Sequence, residues 1–189
     1  ILAKSGDIIT VTAQFSQALT LAPKLEADLK TSLEISPSIV ISPEMAAKRA
    51  VARELIAKGA ALARGGFIQE AMDTYQDARN LDQQVKFSGK DINILCRYGS
   101  LYGLAKTVLQ YCDLAVAAEP RNGDFHDSRG LALALIGDIK TAIEEFTIYA
   151  EWTKGEELYD TYGQQRMAWV AELQAGRNPL DPETLKGLQ

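Results

Sequence analysis

The side chains whose types could carry chemistry are two thiols, Cys96 and Cys112, and one imidazole, His126, set among Asp124, Asp127 and Arg129. The thiols would support a disulfide or a redox switch. As small apolar groups they would instead fill space, since free cysteine is among the most buried residue types. In a cytosolic chain the expected state is two buried, unpaired thiols. Acid–base work at His126 would need a nucleophile at a spacing that completes a relay, and no serine, cysteine or second histidine stands at one. The simpler expectation is a helix start, with Asp124 complementing the positive end of the helix dipole and His126 packed inside. Two cysteines and one histidine fall short of a zinc set without a convergent carboxylate, and their spacing follows no zinc pattern. No GxxxxGK[ST] phosphate loop occurs, and the glycines of DSRGLALALIGD follow no strand, as a dinucleotide fingerprint would require. Catalytic residues, metal and cofactor are all expected to be absent, and an enzyme is the least favoured class.

At 189 residues the chain can bury a sizeable core, as one large domain or as a short repeat array. Its hydrophobic share of 47 % and charged share of 24 % are those of an ordinary soluble protein, and abundant Ala and Leu with only six prolines favour helix. A net charge of −5 and a pI near 5.0 argue against nucleic acid or an anionic membrane as partner, because both want clustered Lys and Arg. No apolar run approaches the ~20 residues of a membrane span and no signal peptide stands out, so the expected setting is cytoplasmic.

The elements that must position any site are most legible over 123–150, GDFHDSRGLALALIGDIKTAIEEFTIYA, which reads as two amphipathic helices back to back. Gly130 is small where the first helix must let its partner close. Gly137 supplies the left-handed residue that ends one helix, and Asp138 caps the next. Ala142 and Phe146 fall four apart on one face of the returning helix. Small residue, Gly-Asp, small residue, aromatic: this combination resembles the tetratricopeptide repeat, a helix–turn–helix unit with a period of about 34 residues.

The same offsets recur along the chain. Gly6-Asp7 with Phe15, Ala18 and Pro23 resembles the second half of such a unit, so 1–35 is expected to hold a partial first repeat and a following helix, in a piece cut from a longer polypeptide. SPSIVISP breaks the helix at a connector, 36–43. Ser42-Pro43-Glu44 opens a long helix running to about Arg64, the first half of a repeat over 44–85 with Gly59 as contact residue, Gly65-Gly66 as turn, and Ala71, Tyr75 and Ala78 on the packing face. A degenerate repeat over 89–122 puts Cys96 in the small place, Gly103 at the turn, and Val108, Cys112 and Ala115 on the returning helix. The clearest repeat is 123–154. A capping helix, about 156–175, and a tail capped by Asp181-Pro182-Glu183 fill 155–189.

The resemblance implies an all-α solenoid of antiparallel helix pairs with a C-terminal capping helix. More narrowly, LCRYGSLYGLA, YCDLAVAAEP and WVAELQAGRNPLDPETL look like the helical repeat segment at the C-terminus of large bacterial multidomain signalling or NTPase proteins. In such an architecture the first helices line a concave groove. That places Arg53, Ile56, Ala60 and Arg64 on it from one repeat, Lys90, Asn93, Arg97 and Leu101 from the next, then Asp124, Asp127, Leu131 and Leu135. The run from basic to apolar to acidic would accept a peptide or protein segment of mixed charge. It departs from the carboxylate clamp of chaperone-binding relatives, since Ile56 and Ala60 replace polar residues there. The expected function is thus a non-catalytic protein-interaction arm; the alternative is a structural spacer or self-association module without an external ligand.

Overall fold

The computed structural model describes residues 9–14, 16, 17, 31 and 42–189. The expected partial repeat over 1–35 and the connector over 36–43 lie, but for those few positions, outside the described residues. Among the described residues the secondary structure is helical throughout, with no strand. The chain divides into two compact units, Ile1–Ala61 with Gln69–Lys86, and Leu62–Ile68 with Phe87–Gln189.

In the first unit, α1 (Pro43–Arg64, whose last turn belongs to the second unit) begins at Ser42, whose hydroxyl accepts from the Met45 amide at 3.1 Å. This is the serine cap and first-position proline expected there. Helix α2 spans Ile68–Leu81. A Cβ on Gly59 would meet the Tyr75 ring at 2.4 Å, so hydrogen alone lets the two helices close. Ala71, Tyr75 and Ala78 are buried, as their spacing predicts. Buried Arg49 pairs with Asp82 and ties the start of α1 to the end of α2.

The second unit holds α3 (Gly89–Leu101), α4 (Ala105–Ala118), α5 (Gly123–Ile136), α6 (Ile139–Thr153), a π-helical turn (Tyr159–Gly163), α7 (Gln164–Gln174) and α8 (Pro182–Gly187). Sequence neighbours pack as pairs: α3 on α4, α5 on α6, and α7 on α6, while α5 also covers α3 and α4. Helix α3 opens with a reciprocal cap, the Asp91 amide donating to the Ser88 hydroxyl at 3.1 Å and the Ser88 amide to the Asp91 carboxylate at 3.0 Å. Gly137 ends α5 at φ 89°, a conformation strained for any residue with a Cβ, and Asp138 then caps α6 through Thr141. The core gathers Leu101, Leu131, Leu133, Phe146, Trp169, Val170 and Leu173. Phe146 sits edge-on to Trp169, ring centroids 5.5 Å apart, under the bare face of Gly130.

Two expectations need correction. Cys96 and Cys112 are not free thiols: they are bonded to each other across α3 and α4, with Cα atoms 4.8 Å apart. They occupy the two places where the paired helices touch, and that proximity falls within disulfide reach. The helix expected over about 156–175 is helical over 157–174 but carries the π-helical turn near its start. Gly163 accounts for the tolerance of an extra residue, because a Cβ there would fall 2.5 Å from the Tyr159 ring and 2.6 Å from the Thr153 hydroxyl.

Candidate functional site

A cleft of about 750 Å³ opens in the second unit. Lys90, Asn93 and Arg97 reach it from α3, one turn apart on a single face. Asp124 and Asp127 reach it from the first turns of α5, and Arg64 from the end of α1. Six of the residues expected to line a groove are therefore brought to one concave surface.

Four others are not. Leu101 and Leu131 are buried, at 5 % and 2 % exposure, in the hydrophobic core. Ile56 is buried in the first unit, and Arg53, half-buried there, is not among the residues lining this cleft. Further along the same two rows, Ala60 is buried and Leu135 half-buried. Helical period carries each row on from its polar start, and along α5 that line passes from the surface into the core.

The cleft also has walls that the groove assignment omitted: Tyr98, Tyr149, Tyr162, Leu158 and Arg166. Arg166 is the most consequential. Its guanidinium grips the Asp127 carboxylate with two hydrogen bonds, Nε to Oδ1 at 2.6 Å and Nη2 to Oδ2 at 2.9 Å, both groups buried. Its flat face lies 4.2 Å from the Trp169 ring centroid and 5.6 Å from that of Tyr149. Arg97 adds a third contact to Asp127 at 3.3 Å from the solvent side. One carboxylate thus serves two guanidinium groups, and the Arg97 side of the site retains positive charge. The signal was present in the sequence: Arg166 continues the apolar stripe of Tyr162, Trp169 and Leu173, where an arginine needs a buried partner.

The electrostatics of the wall are uneven. Loss of hydration pushes the Asp124 carboxyl above its usual range, the Asp127 charge adds to this, and Arg97 opposes it. Burial likewise raises the Tyr149 phenol, with Asp127 again adding and Arg166 opposing. Asn93 differs from both: its side-chain oxygen is buried and finds no donor among the described residues.

His126 stands apart from the cleft and is packed, as expected. Its Nδ1 lies 2.7 Å from Glu145 Oε2 on α6, and its Nε2 donates to the Pro120 carbonyl at 3.1 Å. Arg129 bridges Glu145 to Asp113 of α4, so this cluster stitches α4, α5 and α6 together. No grouping of metal-ligand side chains occurs among the described residues. No described helix is long and apolar enough to cross a membrane. The chain matches no family model, no curated protein and no solved structure.

Proposed function

We propose that this chain is a tetratricopeptide-like, non-catalytic interaction module that holds a peptide or protein segment in the cleft of its second unit. It would serve as an arm of a larger bacterial signalling or NTPase protein. The observation that carries the reading is the buried, donorless Asn93 oxygen on a wall where Lys90, Arg64 and Tyr162 are exposed and Arg97 and Tyr98 half-buried. A buried acceptor without a partner costs about 1–3 kcal/mol, and a turn of the Asn93 side chain toward the cleft would bring it to the backbone N–H of an incoming peptide. Arg97, Lys90 and Arg64 would then meet acidic side chains, while Tyr98 and Tyr162 offer amphipathic surface for an apolar anchor. The charged groups deepest in the cleft are spent on one another, which favours binding over catalysis. A cytoplasmic setting belongs to this reading, and the Cys96–Cys112 bridge weighs against it, since such bonds are rare in reducing compartments.

The test is a photo-crosslinking amino acid placed at Tyr98 in the native host, with Leu114 on the exposed face of α4 as control. Adducts should form at 98, be absent at 114, and fall at least about tenfold when Arg97→Glu is added, a loss typical of a charged contact reversed at an interface. Undiminished adducts with Arg97→Glu would overturn the assignment. The spacer or self-association reading has one observation of its own: Ile148 and Trp152, four apart on α6, are both exposed. It predicts concentration-dependent mass in sedimentation, lost in Trp152→Glu.

A further inference from the structure

Leu101 and Leu131 are buried in a core to which residues 177–189 also contribute. After Gly176 the chain turns and lays 177–189 against the core of the second unit. Leu180 is buried in the same cluster as Leu101, Leu131, Trp169 and Leu173, while Leu185 and Leu188 pack half-buried against it. The Gln189 side chain donates to the Leu101 carbonyl at 3.5 Å. The tail therefore occupies an apolar face as an amphipathic ligand would, with Leu185 on α8 and Leu188, three on, at its C-terminal cap.

It occupies that face loosely. None of the six residues of α8 is buried, and no other helix packs extensively against it. A pocket of 390 Å³ remains between Leu185 and the floor formed by Leu101, Leu135 and Ile136. A second, of 420 Å³, opens where the tail begins, lined by Arg177, Asn178, Leu173 and again Leu135 and Ile136. Both are open to solvent, so the tail leaves room beside its leucines at the surface. The floor is longer than the tail fills, and Ile136 stays 38 % exposed on it.

We propose that the Leu101–Leu131–Leu135 face is a helix-docking surface whose resident occupant is the chain's own tail, and that the partner it fits is a longer amphipathic helix of the same pattern. That pattern is an acidic first turn followed by leucines three apart, as in Asp181, Glu183, Leu185 and Leu188. Lys106 lines the tail pocket and would favour an acidic side chain on the incoming helix. The inference rests on the binding role proposed above and names its partner class. Leu188 also lines the Arg97 cleft, whereas Leu185 lines only the tail pocket, so a change at Leu185 tests this surface apart from the Arg97 wall.

The experiment uses the full chain and a fluorescent peptide of residues 178–189. In the wild type the tethered tail competes at high effective concentration, so the peptide should bind weakly. In the variant Leu185→Asp of the 189-residue chain, whose own tail is released, it should bind at least about tenfold more tightly. The same peptide carrying Leu185→Asp should bind neither protein, and Arg97→Glu should leave peptide binding unchanged. No gain in the folded tail-release variant would overturn the proposal while leaving any Arg97-dependent crosslinking intact. Should that variant unfold, hydrogen exchange on the wild-type chain decides. Backbone amides of 183–189 exchanging at least about 100-fold faster than those of α5 and α6 mark a displaceable tail. Amides there that exchange only with global unfolding make the tail structural and sink the idea.

Discussion

The Asp127–Arg166 pair shows how one buried charge can set the character of a wall. Both groups are withdrawn from water, and the Arg166 fork grips the Asp127 carboxylate with two bonds. Removing one partner would leave the other charged, buried and undercompensated, which typically costs 3–5 kcal/mol. Arg97 would moderate the loss from one side only, because it is partly exposed and makes a single contact at 3.3 Å. Arg166→Met should therefore lower stability by about 3–5 kcal/mol in chemical denaturation. Combined with Asp127→Asn, the loss should fall short of the sum of the two single changes by about 1–3 kcal/mol. Strict additivity would show that the two groups are not coupled. Arginine on a helix reads as solvent-facing by default, so composition alone hides the pair; it becomes legible only from the place of Arg166 on an apolar stripe.

At the scale of elements, the helix pairs were legible because their determinants are local. Gly137 and Gly66 adopt φ of 89° and 85° at the two turns marked for them, and Ala142, Phe146, Ala71 and Tyr75 are buried at the offsets that define the packing faces. The π-helical turn was not legible, because it depends on how closely Gly163 approaches Tyr159 and Thr153, and no periodicity encodes that. The state of the thiols was not legible either. The sequence places Cys96 and Cys112 on facing helices, but bonding depends on an approach of 4.8 Å between Cα atoms. The bond closes a loop with a sequence separation of 16, for which the chain-entropy model gives about 3 kcal/mol of stabilisation. Both cysteines are fully buried, so a thiol reagent reaches them only through unfolding. Reduction in denaturant followed by refolding should lower the thermal midpoint, whereas reductant added to the folded protein should act slowly and at the rate of global opening. An unchanged midpoint in the reduced, refolded protein would mean that the bond is absent in solution or contributes no net stability.

Across the molecule, the division between groove and core follows from which segments cover which faces, and this is where helical periodicity lost its power. Polar starts on α3 and α5 do reach one cleft, but the same rows continue into Leu101 and Leu131, which share a cluster with Leu180 of the tail. A period of 3.6 residues gives the direction of a side chain and not what lies over it. The balance between covered and open should accordingly respond to changes that leave both faces untouched. Gly187 is the clean position for this: it lies within α8, a Cβ built on it meets nothing within 4 Å, and its φ is not positive. Gly187→Ala adds no contact to the core and favours the helical backbone by up to about 1 kcal/mol. It should therefore shift the tail toward its seated form, slowing amide exchange at 183–189 by up to about fivefold and weakening capture of the 178–189 peptide by a similar factor. Exchange within α5 and α6 should not move with it. If exchange slowed equally throughout the second unit, the tail would be one cooperative piece with the core, and Leu101 and Leu131 would be core residues in every state the protein visits.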